Sequence, residues 1–228
     1  MEENFMARFD RLSVYNELLS SGLVPLFYHP EIEISQKIAT AIADGGGRIL
    51  EFTNRGDKAL DVFKSLNDFC QKEHPDLIPG VGSVLDAPTA AIYMAAGANF
   101  IVAPIFEPDV ARICNKRKIP YMPGCGSVTE ISRAEEWGVE IVKIFPGAQV
   151  GGPGFIKAVQ GPMSWTHMMP TGGVDATKES IESWIKAGAC AVGLGSKLVS
   201  KELVAAGDYE AIREKVKACL QWVREARQ

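Results

Sequence analysis

The chain has 228 residues, with 24 Lys and Arg against 28 Asp and Glu, a formal net charge of −4 at pH 7. That balance argues against a nucleic-acid partner, which clustered cations would bind. At 46% hydrophobic and 23% charged residues, the composition is that of an ordinary globular domain and excludes disorder. No apolar run approaches the roughly 20 residues of a membrane span.

The start of the chain has no basic region leading into an apolar run, so it does not read as a secretory leader. Cys70, Cys114, Cys125, Cys190 and Cys219 form no Cys-x-x-Cys pair and read as reduced thiols. A cytoplasmic protein is expected. His29, His74 and His167 lie far apart without ligand spacing, so no metal and no cofactor are expected.

Residues 4–21 repeat apolar positions at Phe5, Phe9, Leu12 and Leu18 and predict a helix ahead of the first strand, placed to cover one end of the fold. Strands are predicted at 23–28, 48–53, 78–81, 99–103, 120–122, 140–144, 166–170 and 190–194. Helices are predicted between and after them, near 35–43, 57–71, 87–96, 108–116, 128–137, 154–160, 178–187 and 209–227. Alternation of this kind requires parallel strands joined by helical crossovers. Eight units of roughly 28 residues suit a compact (β/α)8 TIM barrel, a single α/β domain over residues 1–228 with one extra helix at its N-terminus and a long one at its C-terminus. The rival, a doubly wound open sheet, places a Gly-rich fingerprint after its first strand, where this chain has His29-Pro30.

Three polar features interrupt the apolar strands. Lys143 shares one face with Ile141 and Phe145 by period-2 alternation; it is either a snorkelling strand lysine or a desolvated amine that attacks a carbonyl. Glu51, late in the second strand, precedes Arg55 by four residues. The two either form a simple ion pair or divide labour, Glu51 moving protons and Arg55 gripping a carboxylate. The glycine turns Thr171-Gly172-Gly173 and Gly195-Ser196 close the last two strands. Loops at that place, with a helix N-terminus, bind phosphate in barrel enzymes.

These residues together resemble the KDPG/KHG aldolases, class I lyases acting on 2-keto-3-deoxy-6-phosphogluconate or 4-hydroxy-2-oxoglutarate. The resemblance spans about Leu18 to Val199 and rests on Glu51-x-x-x-Arg55, Gly82-Ser83-Val84, Pro104, Pro123-Gly124, Lys143-x-Phe145-Pro146, Pro170-Thr171-Gly172-Gly173 and Gly195-Ser196. It implies a homotrimer of barrels in which Lys143 forms a Schiff base with a keto acid and Glu51 shuttles protons. It further implies that Arg55 and Ser83 hold the carboxylate, Pro104 and Phe145 wall the imine, and Thr171 lines the pocket. Gly172, Gly173, Gly195 and Ser196 are then expected to hold the distal phosphate.

The chain departs from the family at Ser83 for the commoner Thr, Ile105 for Gly, Asn54 for an aliphatic residue and Gly147 for Ala; the first three are expected to border the substrate. The rival activities are a barrel isomerase or epimerase using Glu51 as base, a metal-dependent aldolase, and an inactive phosphorylated-sugar binding protein.

Overall fold

Apolar runs of a few residues, closed by turn residues and followed by capped amphipathic segments, dictate the alternation in the computed structural model, which describes residues 7–228. The strands are β1 Leu23–Phe27, β2 Ile49–Thr53, β3 Ile78–Gly82, β4 Ile101–Val102, β5 Tyr121–Met122, β6 Gly124–Cys125, β7 Ile141–Ile144, β8 His167–Pro170 and β9 Val192–Leu194. The helices are α1 Arg11–Ser21, α2 Ile32–Asp44, α3 Ala59–Glu73, α4 Ala87–Ala95, α5 Pro108–Arg117, α6 Val128–Glu136, α7 Gly152–Gln160, α8 Lys178–Lys186, α9 Lys201–Ala206 and α10 Tyr209–Ala226.

Five of these helices begin on a side chain the sequence advertises. Asp86, Ser127, Thr177, Ser200 and Asp208 each accept a hydrogen bond from the N–H three residues on. The predicted first helix starts later than its apolar pattern, because Asp10 caps it by accepting from Leu12 and Ser13 N–H; the part of that prediction over residues 4–6 lies outside the described residues. The six-residue α9 has no counterpart among the predicted helices.

All pairings are parallel, but the strands do not form the single eight-stranded sheet expected. They lie in a six-stranded sheet, ordered β5-β4-β3-β2-β1-β9, and a three-stranded sheet, β6-β7-β8. Two prolines account for the division. Pro123, just past the fifth strand expected at 120–122, separates β5 from the unexpected β6; its carbonyl accepts Lys143 N–H at 2.8 Å on the β7 side, where the ring leaves no N–H to answer. Pro170 does the same between β8 and β9. Thr171 N–H points to Ile144 O on β7, so the nitrogen of Pro170 faces β9, where there remain Cys190 N–H to Met168 O at 2.9 Å and one isolated bridge, Thr171 to Gly193.

Two apolar clusters sandwich the strands. One lies between strands and helices, where α10 buries Ile212, Val216, Leu220 and Val223 while packing on α2 and α8. The other gathers inward residues of both sheets, Val24, Ile49, Ile78, Val102, Met122, Ile141 and Met169, against Val14, Tyr15 and Leu18 of α1. So α1 covers the N-terminal ends of the strands, and the polar residues sit at the opposite ends.

Candidate active site

One pleat period above the inward residues Ile49 and Ile141 come Glu51 and Lys143, so strand parity aims both into the interior. Glu51 is 1% exposed and Lys143 5%. Lys143 Nζ lies 3.8 Å from Glu51 Oε1 and 5.3 Å from the centre of the Phe145 ring, a cation over an aromatic face. Glu51 therefore pairs with Lys143; the Glu51 to Arg55 ion pair does not form.

Space for the carboxylate comes from β3, whose inward residues above Ile78 are Gly80 and Gly82. A Cβ at Gly80 would strike the Phe100 ring, and one at Gly82 would strike Glu51 Oε1. Across the strands, Gly193 gives the same room to Thr171 Oγ1. Thr171 Oγ1 and Glu51 Oε2 are buried without a protein hydrogen-bond partner. Such atoms cost about 1–3 kcal/mol each unless something polar meets them.

Arg55 and Ser83 form the rim after β2 and β3. Arg55 Nε donates to Ser83 Oγ at 3.4 Å. Ser83 has φ 61°, in the left-handed region, where serine is tolerated at lower cost than the β-branched threonine of the family pattern. Pro104 is half-buried, with its carbonyl against Gly124, the residue in register with Lys143.

The glycine turns stand at the same end. Gly172 and Gly173 both have left-handed φ, 84° and 81°. The β7–α7 loop braces the first turn: Gly147 N–H donates to Thr171 O at 2.9 Å and Ala148 N–H to Gly172 O at 3.0 Å. A Cβ at Gly147 would lie 2.7 Å from Gly172 O, which explains glycine in place of alanine. The expected helix N-terminus does not follow directly on either turn. After Gly173, α8 waits until Lys178; after Gly195 a single turn closes with Leu198 and Val199 N–H on Gly195 O before α9. Neither turn therefore has an adjoining helix dipole.

Beside Arg55 and Ser196 opens a cavity of about 700 Å³, lined also by Tyr28, His29, Ile34 and Lys201. Of the departures expected to border the substrate, Ile105 is 46% exposed and Asn54 Oδ1 accepts from Tyr93 O–H at 2.8 Å. Sequence reasoning missed the spacer role of Gly80, Gly82 and Gly193, although their inward parity was readable. Tyr93, on a helix outside the strands, gave no signal. Among the described residues, no three His, Cys, Asp or Glu side chains are grouped to hold a metal, and no helix is long and apolar enough to cross a membrane.

The model of the family "KDPG and KHG aldolase" matches residues 14–215. The 2-dehydro-3-deoxy-phosphogluconate aldolase of Treponema pallidum is 30% identical, with 93% of this chain and 98% of the relative covered. That of Pseudoalteromonas atlantica is 35% identical over 88% and 91%. Among solved structures, the KDPG aldolase of Legionella pneumophila with pyruvate captured as a covalent carbinolamine superposes with a TM-score of 0.81 at 29% identity, covering 89% of this chain and 95% of that one. With the family pattern matched from α1 into α10 and the lysine and glutamate paired inside the strands, this chain belongs to the KDPG and KHG aldolases.

Proposed function

We propose that the chain is a class I aldolase that cleaves 2-keto-3-deoxy-6-phosphogluconate to pyruvate and glyceraldehyde 3-phosphate, or 4-hydroxy-2-oxoglutarate to pyruvate and glyoxylate. It works on a (β/α)8 barrel whose two seams are those at Pro123 and Pro170. The buried Lys143 and Glu51 pair at 3.8 Å carries this reading; the carbinolamine seen in the Legionella relative supports it.

Lys143 Nζ, having passed a proton to Glu51, attacks the C2 carbonyl. Glu51 then returns a proton to the carbinolamine hydroxyl, water leaves, and an iminium forms. Glu51, again a carboxylate, takes up the C4 hydroxyl proton; the C3–C4 bond breaks and its electron pair flows into the iminium, giving an enamine and a free aldehyde. Protonation at C3 and addition of water release pyruvate and restore the amine. Arg55 and Ser83 hold the carboxylate, Pro104 and Phe145 wall the imine, and Thr171 offers its unpaired hydroxyl to the substrate. Gly172, Gly173, Gly195 and Ser196 hold the distal anion.

Borohydride with pyruvate is the direct test. Mass spectrometry should find one reduced adduct, confined to Lys143 and undiminished by EDTA; a folded protein without adduct would favour the isomerase or binding-protein reading. Gly82→Ala should slow adduct formation about as far as loss of the general acid–base itself, 10²–10⁴-fold, because the new methyl occupies the place of Glu51 Oε1. An unchanged rate in that variant would show that Glu51 is not needed where it stands.

The proposed assembly is a homotrimer. Leu85, Ile92, Ile105 and Val128 are 45–53% exposed and lie on or just before α4, α5 and α6, three successive crossovers. Such a series of exposed apolar residues suits an interface. Sedimentation should give three times the mass of one chain, and Ile105→Asp should shift it toward the monomer. The buried thiols of Cys70, Cys114, Cys125 and Cys219, each pushed up to about 12 by desolvation, suit the reducing cytoplasm.

A further inference from the structure

The carboxylate-holding role of Arg55 depends on where its backbone leaves β2, and three hydrogen bonds and one close packing contact fix that turn. Asn54 N–H donates to Gly82 O at 2.8 Å, and Arg55 N–H closes a three-residue turn on Thr53 O at 2.9 Å, with Asn54 at its centre. The Asn54 side chain accepts from Tyr93 O–H at 2.8 Å. Gly56 lies directly against Tyr28 O–H, so close that a Cβ there would collide with it. The guanidinium itself is lightly held, its one described hydrogen bond being the 3.4 Å contact with Ser83.

Tyr93 is 2% exposed on α4 and packs edge-on against Phe63 of α3, with ring centres 5.5 Å apart. It is anchored in the helical layer, outside the strands that bear the reacting groups. We propose that Tyr93 and Asn54 are a positioning pair that aims Arg55 at the substrate carboxylate, so that a helix outside the strands sets the enzyme's affinity for 2-keto acids over uncharged ketones. The proposal rests on the aldolase reading of the site. It also accounts for Asn54 where an aliphatic residue is usual: a buried tyrosine hydroxyl needs an acceptor, and an aliphatic residue at the turn's centre would leave that hydroxyl unpaired.

The test is borohydride trapping at Lys143 across a range of pyruvate concentrations, with acetone as a ketone lacking the carboxylate. Tyr93→Phe and Asn54→Leu should each raise the half-saturating pyruvate concentration about three- to tenfold, the range one net hydrogen bond spans. For Tyr93→Phe, the saturating rate and the acetone dependence should stay as in the unmodified protein. The double variant should be no worse than the poorer single one, because the two residues act through one bond.

Equal losses for pyruvate and acetone, or additive losses in the double variant, would overturn the proposal and leave the pair a stability contact. Variants indistinguishable from the unmodified protein would overturn it as well. A folded unmodified protein that traps no pyruvate would instead remove the aldolase reading, and this inference with it.

Discussion

Lys143→Met is expected to leave no borohydride-stable pyruvate adduct and to lower turnover by about 10³-fold or more, because the electron sink for C3–C4 cleavage is lost with the amine. The substitution also strands Glu51, 1% exposed and paired with Lys143, and breaking a buried pair costs about 3–5 kcal/mol. Thermal unfolding must therefore accompany the assay. Lys143→Arg provides the control, keeping a cation beside Glu51 while offering no imine-forming amine. Adduct absent from both variants, with at least one folded, is the expected result. An adduct that moves to another lysine without loss of turnover would sink the mechanism.

Glu51→Gln is expected to slow cleavage about 10²–10⁴-fold, the usual contribution of a positioned acid–base group, while leaving the site of the adduct unchanged. Glutamine has nearly the volume of glutamate, so the fit against Gly82 survives and only the proton acceptor disappears. The signature is kinetic: pyruvate still becomes attached to Lys143, but the approach to full labelling is slow. Lys143 substitutions remove the end point; Glu51 substitutions delay it. A Glu51→Gln protein that labels and turns over at the unmodified rate would show that another group carries the protons.

Much of this site was legible before any fold was known. Lys143 and Glu51 stood out because a charged residue inside an apolar strand has to be placed somewhere, and period-2 parity gave the face. The helix starts at Asp86, Ser127, Thr177 and Asp208 were legible for a local reason, the side-chain oxygen that serves the N–H three residues on. Less legible was the division of the strands. A proline in an eight-strand pattern reads as a strand end, and only the neighbour on its nitrogen side tells whether a ladder is broken there, as at Pro123 and Pro170.

By itself, the sequence determined most of the order of strands and helices, β6 and α9 apart, the parallel class of the sheets, and which charged residues interrupt apolar strands, since these depend on local periodicity and residue chemistry. Only the tertiary structure decided that Glu51 pairs with Lys143 and not with Arg55, because the partner of a buried charge is set by which inward positions meet across strands far apart in the chain. It likewise decided that glycines at 82 and 193 make room for the side chains of Glu51 and Thr171, and that Tyr93 on α4 reaches Asn54. Close approach and hydrogen bonding between distant segments depend on distances that no spacing along the chain encodes.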